Sequence, residues 1–130
     1  MRLLKPLSAV RLTLFSLIAW LAGAGCSKNQ TAPPQALAPE QVAPTIETAF
    51  KEAQPEVKEA ANEVVSAMQN NDDPRALAQL QALSVQPNLT PEQRRAAALS
   101  TMSVLARLQI AAANGSKVAE EMLKKYRASK

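Results

Sequence analysis

Residues 90–115 read TPEQRRAAALSTMSVLARLQIAAANG, and this stretch decides the fold class. Thr90, Pro91 and Gln93 form a capping box: a threonine precedes the helix, a proline takes its first position and a glutamine lies three residues after the threonine. No further proline or glycine follows until Gly115, a residue type that commonly ends helices. The stretch therefore predicts one long helix that begins at Pro91 and ends just before Gly115.

This helix is apolar over most of its circumference. On a helical wheel, one apolar side carries Leu99, Met102, Ala106 and Ile110, and another carries Ala97, Val104, Leu108 and Ala111. Between them runs one narrow polar stripe through Ser100, Ser103 and Arg107. Such a helix is normally buried on several sides, so we expect it to be central and covered by the other three. In the alternative, one side stays open as a partner or self-association surface, with Val104 and Ala111 as the candidate residues.

Helical signals also precede this segment. Apolar residues recur every three or four positions from Thr45 onward, at Ile46, Phe50, Ala53, Val57, Ala60, Val64 and Met68. Pro55 interrupts the run and predicts a kink or a restart of the helix. Asp73 followed by Pro74 predicts another helix start, with Asp73 as its N-cap.

A last helix is expected after Ser116, the residue that we predict as its cap. No stretch alternates with the period of two that a half-buried strand requires. The sequence therefore predicts an all-α domain over residues 45–130, a small bundle of about four helices.

The N-terminal segment carries an export signal. Three basic residues, Arg2, Lys5 and Arg11, precede an apolar run over residues 12–22, and no acidic residue occurs before Glu40. A basic start followed by a short apolar run is typical of a secretory signal. Because a membrane span needs about 20 apolar residues, this run is too short to be an anchor. We expect residues 1–25 to be a cleavable signal peptide.

Residues 21–26, LAGAGC, resemble the lipobox of bacterial lipoproteins, although Gly23 departs from the aliphatic residue usual at its position. The resemblance implies that Cys26 is lipidated, becomes the new N-terminus and anchors the chain on the periplasmic side of a membrane. Ser27 after it implies the outer membrane. Cys26 is the only cysteine, so it has no disulfide partner within the chain. The alternative is ordinary cleavage after Ala24, which would leave a soluble periplasmic protein.

Residues 26–44 are expected to be the lipid anchor and a disordered tether. The part from 27 to 44 contains four prolines and almost no large apolar side chain, so it cannot bury enough surface to offset its ordering entropy. A spacer of this kind directly after Cys26 is what an anchored domain needs.

Residues 71–77, NDDPRAL, together with Leu80, Leu83 and Pro87-Asn88, resemble the middle of a tetratricopeptide repeat. No second copy lies at the 34-residue period of that family. The resemblance therefore implies a single helical hairpin and not a solenoid.

Composition argues against nucleic-acid binding and catalysis. The formal charge of +4 falls to about +1 once Arg2, Lys5 and Arg11 leave with the signal, so no electrostatic footprint for phosphate remains. Histidine is absent, which removes the commonest general base and metal ligand. We therefore expect no enzyme, no cofactor and no metal site.

Three groups of polar residues could suggest a metal or catalytic site, and we interpret each of them as structural. We interpret the oxygen-rich residues 70–73 as a turn and helix cap, since they lack the spacing of a calcium loop. The carboxylates Glu52, Glu56, Glu59 and Glu63 are expected on a solvated helix face. Ser100 and Ser103 have no histidine partner.

The resulting hypothesis is a non-catalytic cell-envelope lipoprotein that acts as a protein-interaction or structural helical module. It would be held at the membrane by its lipid and would have a protein partner. The alternative is a periplasmic carrier of a small ligand or lipid, with a pocket between its helices.

Overall fold

A computed structural model describes residues 33–130, and within this range the chain is all-α, with no strand. The signal peptide, its cleavage site and Cys26, all predicted above, lie outside the described residues. The helices are α1 (Pro39–Phe50), α2 (Pro55–Gln69), α3 (Asp73–Ser84), α4 (Pro91–Ala113) and α5 (Lys117–Ala128).

Five helices stand where about four were predicted, because Pro55 causes a restart and not a kink. α1 ends at Phe50, and Pro55 takes the first position of α2, where its missing N–H is not needed. The apolar period continues across the break, so Phe50 and Val64 are both buried in one core.

Short-range polar contacts fix the start of α4 and both ends of the turn that follows it. The capping box at Thr90 is present: Gln93 N donates to Thr90 Oγ1 (3.1 Å) and Thr90 N donates to Gln93 Oε1 (3.0 Å). Gly115 follows α4 with a φ of +92°, the left-handed region that glycine adopts without strain. Ser116 Oγ then accepts from Ala119 N (3.3 Å) and caps α5. All three sequence predictions are confirmed.

The cap of α3 was predicted one residue too late. Asp72 Oδ1, and not Asp73, accepts from Arg75 N (3.1 Å), while Asn71 takes a left-handed φ of +54° in the turn before it. Asp73 is the first residue of the helix, and its side chain is directed to α4 instead. Residues 70–73 thus form a turn and a cap, as expected.

The boundary between tether and domain was also wrong. α1 begins at Pro39, six residues before the predicted domain start at Thr45, and it contains Pro44. Val42 is fully buried, one helical turn before Ile46. A proline inside a helix costs about 3 kcal/mol, but burying a valine side chain stabilises by about 1.5–3 kcal/mol, and the favourable first position of Pro39 adds to it. The number of prolines in a segment is therefore not sufficient to predict where the folded domain begins.

Four helices form a closed ring around the core. α1 packs on α2, α2 on α3, α3 on α4 and α4 on α1, whereas no Cα atoms of the two diagonal pairs lie within 8 Å of each other. α5 packs on α4 and touches α3. The largest fully buried side chains inside this arrangement are Val42, Ile46, Phe50, Val64, Leu77, Leu80, Leu83, Val104 and Leu108. α4 thus contacts three of the four other described helices, and so does α3. The prediction that the other helices cover α4 holds for only part of its circumference, because Met102 and Ile110 are exposed.

Candidate functional site

The predicted interaction surface at Val104 and Ala111 is not on the outside of α4. Val104 is fully buried, and Ala111 is half-buried against the core. Ser100 and Ser103, from the polar stripe, also face inward, with 0% and 2% of their surface exposed. The wheel showed two apolar sides of similar width, and only the positions of α1 and α3 determine which of them is inside. The candidate surface therefore moves to the other side of the helix.

That other side carries an uncovered apolar stripe, called here the open stripe. Its members are Leu99, Met102, Ala106, Ile110 and Ala113. Ile110 is 63% exposed and Met102 39% exposed, and both alanines are exposed, while Leu99 is half-buried. The five residues follow one another at steps of three or four, so they form one continuous line along α4. No charged side chain belongs to the line.

A groove of about 530 Å³ between α1 and α4 borders one end of the open stripe. Its floor is mainly apolar, and Glu92 and Arg95 are its charged residues. The groove is lined by Leu37, Gln41, Pro44, Thr45, Thr48, Ala49, Glu92, Arg95, Ala96 and Leu99. At its inner end Gln93 Nε2 donates to Ala49 O (3.3 Å), which ties the end of α1 to the start of α4. The shared residue Leu99 joins this groove to the stripe.

A second groove of about 530 Å³ borders the stripe on the side of α5. Its apolar lining includes Val85, which is 80% exposed, and the half-buried Leu105 and Tyr126. Lys130 Nζ lies 5.1 Å from the centre of the Tyr126 ring, a cation–π distance. Met102 belongs both to this groove and to the open stripe. Both grooves are open to solvent, so each is a cleft and not an enclosed cavity.

One ion pair links α3 to α4 below the surface. Arg107 Nε donates to Asp73 Oδ2 (3.0 Å), and Arg107 Nη2 donates to Asn71 Oδ1 (3.4 Å). Asp73 Oδ1 is buried without a hydrogen-bond partner. Burial raises the pKa of the Asp73 carboxyl above its ordinary value, even though the charge of Arg107 and its hydrogen bond act in the opposite direction. This pair is a structural contact between two helices, and it does not line either groove.

The remaining candidate groups do not converge. Glu56 and Glu59 are exposed and Glu63 is partly exposed on α2, as predicted for a solvated helix face, and Glu63 pairs with Arg75. Glu52 is also exposed, but it lies in the turn between α1 and α2 and not on that helix. The hydroxyls of Ser100 and Ser103 are buried and have no hydrogen-bond partner, so neither reaches solvent. Within residues 33–130, no three histidine, cysteine or acidic side chains form a group that could hold a metal ion.

No family model, curated protein or solved structure matches this chain. The protein is therefore described by its fold and surface alone. It is an all-α chain in which α4 carries an exposed apolar stripe between two grooves. Among the described helices, α4 alone is long and apolar enough to cross a membrane by length and composition. In this fold it lies against α1, α3 and α5, and a core helix passes the same test.

Proposed function

We propose that this chain is a non-catalytic interaction or structural module of the bacterial cell envelope, lipidated at Cys26 and held on the periplasmic side of a membrane. The observation that supports it best is the open stripe. Contiguous apolar surface is rarely left exposed on a soluble domain unless something covers it during function. Here large side chains such as Ile110 are exposed, while smaller ones such as Ala97 are buried.

The anchor supplies the location of this module. Lipidation requires the signal at residues 1–25, and the resemblance of residues 21–26 to a lipobox supports it. Ser27 supports sorting to the outer membrane. The segment that resembles the middle of a tetratricopeptide repeat covers α3 and its flanking turns. In this proposal α3 packs on α2 as in a single helical hairpin and also packs on α4, without forming a repeat array.

Mass spectrometry of the mature N-terminus, after expression of the full chain in a bacterium, tests the anchor. We expect an acylated Cys26 and recovery of the protein in the membrane fraction, because each buried CH₂ contributes about 0.8 kcal/mol to membrane binding. Cys26→Ser is the matched control and should move the chain to the soluble periplasm. An unmodified chain that begins at Gly25 would rule out the lipoprotein proposal.

The groove between α1 and α4 supports a second candidate, a carrier of a small apolar ligand. Its volume of about 530 Å³ lies within the range of known ligand pockets. A fluorescent fatty acid should then bind the purified chain, and Thr48→Trp should abolish binding by filling the groove from an exposed position. Binding that Thr48→Trp leaves unchanged, or no binding at all, would eliminate the carrier.

A further inference from the structure

We infer that the open stripe binds a second copy of this chain, with the two α4 helices antiparallel about a two-fold axis at Ala106. The inference rests on the proposed function, because it names the partner of the interaction module.

The spacing of the open stripe is symmetric about its central alanine. Leu99 lies seven residues before Ala106 and Ala113 seven residues after it, while Met102 and Ile110 lie four residues before and after it. An antiparallel pair centred on Ala106 therefore sets alanine against alanine, methionine against isoleucine and leucine against alanine. A two-fold interface must match one surface with itself, and this stripe does so. The smallest side chain falls at the crossing point, where two helices approach most closely.

The neighbouring helices leave room for the second copy. α1 borders α4 only along its first half, where Glu92, Ala96 and Leu99 line the shared groove. α5 borders the second groove through Tyr126 and leaves Ile110 exposed. In the antiparallel pair, the half of α4 that α1 does not cover lies opposite the half that α1 does cover. Each copy then covers the part of the open stripe that α1 leaves uncovered in the other copy.

Long-range repulsion does not oppose this association. Residues 33–130 contain 11 basic and 11 acidic side chains, so their formal net charge is zero. The stripe is short, about 21 Å along the helix axis, and one helix pair buries less than the roughly 800 Å² per partner of a standard interface. We therefore expect weak association in dilute solution and efficient pairing where a lipid anchor confines the copies to a membrane.

Disulfide formation across the axis tests the inference in membranes from cells that make the full chain. A lipidated Cys26 has no free thiol, so Ala106→Cys introduces the only one. Mild oxidation should convert most Ala106→Cys protein to a dimer on a non-reducing gel, because the two Cα atoms at the axis lie within disulfide range. The matched control is Ala78→Cys, exposed on α3. Dimer formation by Ala106→Cys no greater than by this control would overturn the inference.

The register has its own test. Co-expression of Leu99→Cys with Ala113→Cys should give the mixed disulfide, whereas Leu99→Cys alone should not dimerise, since its two copies lie about 20 Å apart. Dimers from Leu99→Cys alone would indicate a parallel pair and contradict the antiparallel arrangement.

A photoreactive amino acid at position 110 separates this inference from the proposed function. Crosslinks to a second copy support both. Crosslinks to a different protein overturn self-association and leave the interaction module intact. If no protein is crosslinked while mass spectrometry shows the lipid on Cys26, both are contradicted.

Discussion

At the scale of single residues, Asp73 has a carboxyl group whose surroundings oppose its charge. Arg107 binds one oxygen, but the other oxygen is buried without a partner. Burial has the larger effect and raises the pKa of Asp73 in the folded chain. The folded state therefore holds a proton at pH values where the unfolded chain, with an ordinary pKa of about 3.9, has already lost it.

Asp73→Asn should reveal this in the pH dependence of stability. A raised folded pKa contributes stability that is present below the unfolded pKa and is lost as pH rises through the folded pKa. The free energy of unfolding of the parent chain, minus that of Asp73→Asn, should thus decrease as the pH rises from below the unfolded pKa of about 3.9 through the folded pKa of Asp73. Urea denaturation at several pH values measures the difference. An increase over the same range would mean that Arg107 outweighs burial.

Val104 and Met102 form a matched pair on α4. Val104 is fully buried, whereas Met102 is 39% exposed on the open stripe. Val104→Glu should cost several kcal/mol or prevent folding, since an unpaired carboxylate would be buried, while Met102→Glu should cost about 0.5 kcal/mol. Denaturation followed by circular dichroism distinguishes them. Equal losses of stability would contradict the assignment of the two sides.

At the scale of helices, the sequence predicts those features that neighbouring residues determine. The caps at Thr90 and Ser116, the stop at Gly115 and the restart at Pro55 each involve groups a few residues apart. The two sides of α4 could be drawn from the sequence, but not told apart, because the inner side is chosen by helices distant along the chain. The sequence therefore showed that the residues of the open stripe share one side of α4, but it did not show that this side is the exposed one.

α1 shows the same limit in the other direction. Its first turn has the composition of the predicted tether, yet Val42 is buried by residues of other helices. The sequence signal that could have found it is the spacing Val42, Ile46 and Phe50, which extends the apolar stripe of the predicted helix by one turn.

Val42→Ala tests whether this turn belongs to the domain. It should lower the free energy of unfolding of the mature chain by about 1–3 kcal/mol, because it leaves a cavity in the core. Deletion of residues 33–36, which are exposed, is the control and should leave the melting temperature almost unchanged. Chemical and thermal denaturation measure the two effects. If Val42→Ala left the stability unchanged while the deletion of residues 33–36 lowered it, the assignment of the first turn of α1 to the domain would be wrong.

At the scale of the whole molecule, the ring of α1 to α4 and the added α5 differ in how they are held. Each ring helix packs on two ring neighbours, whereas α5 packs on α4 and only touches α3. Within α5, Ala119 and Leu123 are the buried side chains. The four ring helices surround most of the core, and α5 adds Ala119 and Leu123 to that core from outside the ring.

This arrangement predicts that the molecule opens in stages. Local opening requires least free energy where few apolar contacts must break, so backbone amides of α5 should exchange with deuterium before those of α2, α3 and the first half of α4. Mass spectrometry of exchanging peptides measures the order, and equal protection of α5 and α2 would contradict it. If α5 moves away from α4 at Gly115, Leu105, which lines the groove beside Tyr126, becomes exposed and α4 presents a second apolar surface to solvent. The detached state thus exposes apolar surface on both sides of α4 for a short time. A mutation that weakens the packing of Leu123 would make this state more populated and would promote aggregation.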